Sequence, residues 1–389
     1  MADRITVTTR TGFFTRIKNA LTGIGVGILL ILGAIVLLFW NEGRAVTTAR
    51  TLAEGAGAVV TVSPDRVDPA NEGRLIHLSG AARTAEPLAD PQTGIAAQGL
   101  RLERRVEMYQ WIEERESSTR TRVGGGQETV TTYTYRRDWS SSAVDSARFQ
   151  EPNGHRNPPF SIEGRTVVAQ DARLGAYMLS PEIAGRVPGA QELIVSRDAE
   201  QRLRQAFGAG RAVSVQDGGI YLGYNPSAPS IGDTRIRYEV VPAGDVSIVA
   251  AQRGSGLGAY RAEAGGSILL VDAGLKPASE MFDDAVRANT FLTWMVRLAG
   301  FVLLTIGFGM LFAPLGVLAD IIPPIGGLVR MGTGFAGFIL AALVGTLTIA
   351  VAWFTYRPLL SLAIFGGGAL IAAGLAYLRR GRAAERAPA

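Results

Sequence analysis

Four apolar stretches, each long enough to cross a bilayer, constrain this chain more than any other feature. Residues 21–40 run 20 positions without a charge, 291–312 run 22 with only Arg297 inside, 332–354 run 23 and 359–378 run 20. At about 1.5 Å of rise per residue, each helix would reach across a hydrocarbon core of roughly 30 Å. The sequence therefore predicts a membrane protein with four transmembrane α-helices. The first run is longer than the apolar core of a cleaved signal peptide, and no small-x-small site follows Trp40, so it reads as an uncleaved signal anchor.

The formal net charge of +5 invites a nucleic-acid reading until the charges are placed. The tail 1–20 holds Arg4, Arg10, Arg16 and Lys18 against Asp3, and 379–389 holds Arg379, Arg380, Arg382 and Arg386 against Glu385. Between 41 and 290 there are 28 basic and 31 acidic residues. A surplus confined to tails and membrane loops is the positive-inside pattern, not a nucleic-acid groove. It places both termini in the cytosol and residues 41–290 outside it, and no nucleic-acid partner is expected. Only Lys18 and Lys276 are lysine among 39 basic residues. That arginine-rich composition suits a GC-rich bacterium, which would make the membrane the inner one and the large domain periplasmic. With no cysteine in the chain, disulfides, thiolate catalysis and cysteine metal sites are excluded.

Within 41–290, short alternating segments punctuated by Gly, Pro and Asp predict a strand-dominated α+β domain. "GRLIHLSG", "RRVEMYQWIEERES", "TVTTYTYRRDW" and "TRIRYEVVPAGDVSIVAAQ" read as strands, the last as a hairpin turning at 242–245. "SPEIAGR" and "SRDAEQRLRQAFGAG" read as short helices opened by Ser or Asp caps.

A second hairpin carries the candidate interaction surface. Tyr109 and Trp111 share a face of its outgoing strand, and Tyr133, Tyr135 and Trp139 share a face of the return, with Gly124–Gly126 available for a turn with positive φ. Cross-strand aromatic pairs contribute roughly 0.2–1 kcal/mol each, so packing explains such a face. Exposed, and ringed by Glu103, Glu107, Arg136 and Arg137, the same face would be a partner platform.

These segments also carry a family likeness. "EMYQWIEE", "GGGQETVTTYTYRRDWS", "GHRNPPF", "GDTRIRYEVVPAGDVSIVAAQ" and "PLGVLADIIPPIGGLVR" closely resemble the transmembrane protein 43 family, also called LUMA, over roughly residues 100–330. The resemblance implies a multipass protein with a large extracytoplasmic domain between its first helix and the rest. It further implies a scaffold, since the animal members are similar proteins that self-associate and bind envelope proteins. A bacterial member would keep the architecture and not those partners.

Signals for chemistry are sparse. His77 and His155 have no partner at metal-ligand spacing and read as structural. "GSGLGAYR" lacks the lysine and hydroxyl of a phosphate loop, Asp171 has no base or nucleophile near it in sequence, and no G-x-S-x-G elbow occurs. No catalytic residue, cofactor or metal is expected. Residues 313–330 are too broken by Pro323 and Pro324 to span and too apolar for a cytosolic loop, which predicts an interfacial or re-entrant segment. Asp320 is its one acid, with Arg330 or Arg297 as candidate partners, although Arg297 lies nearer the outer face and is expected to snorkel there. Gly300, Gly307 and Gly309, then Gly334, Gly337, Ala341 and Gly345, then Gly366–Gly368 supply small faces for close helix packing.

The domain plan is a basic tail at 1–20, helices at 21–40, 291–312, 332–354 and 359–378, the outer domain at 41–290, the interfacial segment at 313–330 and a second basic tail at 379–389. The function expected is a non-catalytic scaffold that associates with itself, with other membrane or envelope proteins and with lipid. The alternative is a lipid-handling enzyme or transporter at the junction of membrane and domain, motivated by Asp320 and the glycine faces.

Overall fold

The computed structural model describes residues 3–207 and 212–359. The chain divides into two compact units. One comprises Met1–Thr9, Thr51–Ser118 and Thr129–Ala285, and the other comprises Arg10–Arg50, Thr119–Glu128 and Val286–Ala389.

The first unit is built mainly from two large sheets, beside which Leu88–Ala89 pairs with Ala96–Ala97 and Tyr260–Arg261 with Ser267–Ile268. An eight-stranded sheet runs in the order Asp3–Thr11, Gln127–Ser140, Arg101–Thr121, Thr234–Val241, Gly219–Leu222, Val213–Gln216, with Gln191–Leu193 and Arg165–Val168 paired beside this path. In a seven-stranded sheet, Asp245–Arg253 pairs with both Leu75–Arg83 and Gly256–Gly258, which closes five of the strands into a ring. Alternation sets the inward face of Arg101–Thr121, where Leu102, Val106 and Met108 are buried while Glu103, Arg105 and Glu107 point outward. One core joins the sheets, with Leu102, Val106, Ile236 and Tyr238 from the first meeting Ile76, Leu78, Leu174 and Ile248 from the second.

The expected hairpin at 234–252 is corrected. Thr234–Val241 belongs to the first sheet and Asp245–Arg253 to the second, so residues 242–244 turn a corner between sheets. Val246–Gln252 is buried at every position, and a strand covered on both faces belongs inside a ring of pairs rather than folded back on a half-exposed neighbour. The corner is held by Leu100 N–H on Val241 O (2.8 Å) and Ala82 N–H on Gly244 O (2.8 Å). Both short helices form, α2 over Pro181–Arg186 with Ser180 as its cap, and α3 over Glu200–Phe207.

One inward position on the long strand is charged. Arg104 donates to both oxygens of Asp90 (2.6 and 2.8 Å) and to Glu163 O, and Tyr238 Oη donates to the same carboxylate at 2.6 Å. A buried pair is tolerated only when its remaining hydrogen bonds are made, and here they are.

Among the described residues, three helices are long and apolar enough to cross a membrane: α1 (Phe13–Ala58), α4 (Ala278–Ala319) and α5 (Pro323–Tyr356); the second unit holds all of them except 51–58 of α1 and 278–285 of α4. They extend well beyond the apolar runs at 21–40, 291–312 and 332–354. The fourth run, 359–378, lies outside the described residues apart from Leu359. Within the segment 313–330 the backbone is more regular than two bending prolines imply. Residues 313–319 complete α4 with Pro314 inside it, a turn occupies 320–322, and α5 starts at Pro323. Pro323 and Pro324 lie in the first turn of a helix, where a missing N–H costs nothing, so they start α5 rather than bend a loop. Glycines close the bundle. A Cβ on Gly27 of α1 would stand 2.8 Å from Gly307 O of α4, and one on Gly300 would stand 2.6 Å from Leu38.

Burial by itself pushes the Asp90 carboxyl up, but hydrogen bonds from Tyr238 and Gln92 N–H, with the Arg104 charge, outweigh it and hold the group below its ordinary value. A depressed carboxyl stabilises the fold above its unfolded pKa of about 4, and that contribution disappears as pH falls through the lower folded value. Asp90→Asn leaves Arg104 buried without its counter-charge and is expected to cost about 3–5 kcal/mol. Thermal unfolding of the purified protein from neutral pH downward checks both statements: the variant melts lower at neutral pH and loses part of the acid dependence of the parent.

Candidate functional site

The hairpin residues singled out by sequence do come together, and all lie in the first unit. Tyr109 faces Trp139 across the strands at 5.3 Å between ring centroids, and Trp139 continues to Tyr221 at 6.1 Å. Arg235 lies 4.6 Å over Trp139 and Arg137 lies 5.4 Å over Trp111. Tyr133 has Arg115 above it at 6.0 Å. The five aromatics do not form an open platform, however. Tyr135 is 1% exposed and the other four are half-buried.

Tyr135 is a packing centre. Its ring stacks on His155 at 4.0 Å, its hydroxyl donates to Glu113 Oε2 at 2.8 Å, and that hydroxyl accepts from Glu151 N–H at 2.9 Å. Burial first, and then the Glu113 carboxylate, push the Tyr135 phenol up to about 12. His155 is buried, bonded through Nδ1 to Glu151 O and packed edge-on by Trp111 at 4.7 Å, which is the structural role its sequence context suggests.

His77 presents a pairing that the sequence hides. Its Nε2 lies 2.9 Å from Lys276 O and 3.1 Å from Ser79 Oγ, and its Nδ1 lies 3.2 Å from Thr61 Oγ1. A carbonyl can only accept, so Nε2 carries the proton and Nδ1 takes the Thr61 hydroxyl. The nitrogen beside Ser79 is therefore a donor and cannot activate that serine as a nucleophile. Burial lowers the His77 pKa, which keeps the ring neutral. Asp171 accepts from Glu86 N–H and Ala85 N–H, and those two amides hold its carboxyl below the ordinary value. Among the described residues, no cluster of His, Asp and Glu is placed to hold a metal.

The outer face of the eight-stranded sheet forms an open groove of about 760 Å³, lined by Glu103, Arg105, Glu107, Arg235, Arg237 and Glu239 among others. Its charges pair across strands, Arg105 with Glu239 at 2.8 Å and Arg235 with Glu107 at 2.5 Å. The groove is broad, shallow and electrically balanced.

Two clamps tie the second unit. At one, Glu42 of α1 accepts both arms of Arg297 from α4 (2.7 and 2.8 Å) and the indole N–H of Trp353 from α5 (2.8 Å). Arg297 thus pairs with Glu42 rather than snorkelling alone. Sequence held a signal for this, an acid just past one apolar run and a base inside another. At the second clamp, Asp320 is fully buried and bridges Arg16 of α1 and Arg330 of α5. The Arg330 partnership is as expected, and Arg16 takes the place offered to Arg297.

The turn of the aromatic hairpin also belongs to this second clamp. Gly124 N–H donates to Ile321 O at 3.1 Å, and Arg16 Nη1 donates to Gly125 O at 2.6 Å. Gly125 has φ +76° and its missing Cβ leaves room for the Phe13 ring, so no other residue fits there without strain. The charge pattern puts this hairpin, with 41–290, on one side of the membrane and 1–20 and 313–330 on the other. At residues 122–126 the three segments meet.

A family model described as "Transmembrane protein 43" matches residues 108–358. The human protein named "Transmembrane protein 43" is 32% identical over 377 residues, covering 93% of this chain and 92% of its own. The mouse protein of that name is 33% identical over 370 residues, covering 92% and 90%. The Drosophila melanogaster homolog is 31% identical over 361, covering 88% and 91%. No solved structure matches.

Removing the Tyr135 hydroxyl leaves Glu113 and Glu151 N–H without their buried partner. Tyr135→Phe is expected to cost about 1–3 kcal/mol, whereas Tyr133→Phe changes stability by less than about 0.5 kcal/mol. Comparing the two by thermal unfolding separates a packing centre from a surface aromatic.

Proposed function

The chain belongs to the transmembrane protein 43 family, and on that premise we propose that it is a non-catalytic scaffold, integral to a bacterial inner membrane, that assembles with itself and with other membrane proteins. The observation that carries this reading is the state of the groups able to do acid or base chemistry. His77, His155, Asp171 and Asp320 are each engaged by two or more groups that hold the fold. A reacting acid or base needs an orbital or proton turned toward an incoming molecule. The lipid-handling reading drew its support from Asp320, and that carboxylate is closed by two guanidinium groups.

The broad face of paired charges suits a protein partner better than a small ligand. Small-molecule sites are concave and largely apolar, whereas protein interfaces are open with a polar rim. Side-by-side opposite charges also complement a second copy of the same face, because each Arg-Glu pair can exchange partners across an interface.

Light scattering of the detergent-solubilised protein, with crosslinking in the source membranes, tests the reading. The expected result is one defined oligomer and a recurring crosslinked protein. Arg105→Glu with Arg237→Glu is expected to lower the oligomer mass while leaving the melting temperature nearly unchanged, since exposed ion pairs contribute only about 0–1 kcal/mol each. A strict monomer without crosslinked partners overturns the proposal.

A further inference from the structure

We infer that the hairpin turn 119–128 is a membrane-contacting element that lies at the same bilayer interface as the start of α1 and the α4–α5 turn, inserting Val123 among anionic lipid headgroups. The scaffold proposal is not required for this.

Depth is set by the two clamps. Arg16 and Glu42 are 26 residues apart on α1, a rise of about 39 Å, and Arg330 and Trp353 are 23 residues apart on α5, about 35 Å. Arg297 and Asp320, 23 residues apart along α4 and its turn, likewise give about 35 Å. A hydrocarbon core is about 30 Å thick and the bilayer with its headgroups about 40–45 Å. All three helices therefore place one clamp at each interface, with Leu29, Val36, Phe335, Leu343 and Leu347 exposed between them to lipid. The Asp320 clamp and the hairpin turn bonded to it through Ile321 and Arg16 share one of those interfaces.

The surface there has interfacial chemistry. Val123 is 89% exposed and Phe14 85%, and Ile321, Ile322 and Leu328 are exposed around the turn. In water such side chains are an unprotected patch, while at the boundary of headgroups and acyl chains each is favourably buried. Across 10–20, 119–128 and 313–331 the bases Arg10, Arg16, Lys18, Arg120, Arg122 and Arg330 face only Glu128 and Asp320. Apolar side chains rimmed by a basic surplus favour an anionic leaflet over a neutral one.

Because the chain has no cysteine, single thiols can be placed at will. Val123→Cys, Ile322→Cys and Ser227→Cys alter exposed positions and carry an environment-sensitive fluorophore into full-length protein reconstituted in phosphatidylglycerol-containing vesicles. The label at 123 is expected to emit blue-shifted light and to be quenched by spin-labelled lipid as strongly as that at 322, while the label at 227 responds only to aqueous iodide. Replacing phosphatidylglycerol with a neutral lipid is expected to weaken the quenching at 123. In sealed vesicles, a membrane-impermeant maleimide is expected to reach Gly12→Cys and Val123→Cys from the same side. A label at 123 open to iodide and untouched by lipid quencher overturns the inference. So does one shielded from both, which marks a protein contact, or labelling of 12 and 123 from opposite sides. Each readout is independent of oligomer mass, so this inference and the scaffold proposal can fail separately.

Discussion

A charge cannot be left inside hydrocarbon, and the membrane unit is arranged around that prohibition. Glu42 with Arg297, and Asp320 with Arg16 and Arg330, form two clamps separated by about the thickness of a bilayer along every described membrane helix. Between the clamps the packing is done by glycines that let backbones touch, as where Gly27 meets Gly307. Lipid tails are as apolar as leucine and supply no drive to bring helices together, so close contact and polar ties must do it. Glu42 of α1 holds side chains from both of the other helices, as Asp320 beyond α4 holds Arg16 and Arg330.

The domain solves the same problem differently. Its buried charge, Arg104, stands in an alternating strand where the pattern calls for an apolar residue, and Asp90, Gln92, Glu163 and Tyr238 converge on it or on its partner carboxylate. Such a network contributes little net stability compared with a well-packed apolar substitute, but losing one member is costly. That asymmetry fixes how the loop around Asp90 lies on the sheet. The stack of Tyr135 on His155 plays a similar part for the loop after the hairpin.

Much of this was legible in the sequence, for identifiable reasons. Apolar runs and strict alternation are local signals, so the helices α1, α4 and α5, the two short capped helices, the aromatic hairpin and its glycine turn could all be read from neighbouring residues. Most of what failed depended on contacts between residues far apart. Residues 234–241 and 245–253 have the spacing of a hairpin, and only the burial of both faces of the second strand shows that it enters another sheet. Asp320 has Arg330 within reach along the chain, but Arg16 lies more than 300 positions away and carries no mark distinguishing it from other basic residues of a cytosolic tail. The proline pair at 323–324 was read as a break when it is a start, because the first turn of a helix and a kink present the same residue.

The meeting of the hairpin turn with Arg16 and Ile321 bears most on how the protein works in a membrane. A strand of 21 residues, Arg101–Thr121, is about 70 Å long when extended, far beyond what a surface loop requires. Its first half is bonded into the large sheet through Thr234–Val241. Beyond Trp111, whose backbone is bonded by the Asn157 side chain rather than by another strand, the same strand continues to a turn that rests on Ile321. Asn157 therefore ends strand pairing on that edge without ending the strand. Arg16 divides its guanidinium between the turn, at Gly125 O, and the Asp320 carboxylate. Through Arg16, Ile321 and Arg330, the Asp320 clamp thus ties the hairpin turn to α1, the α4–α5 turn and α5.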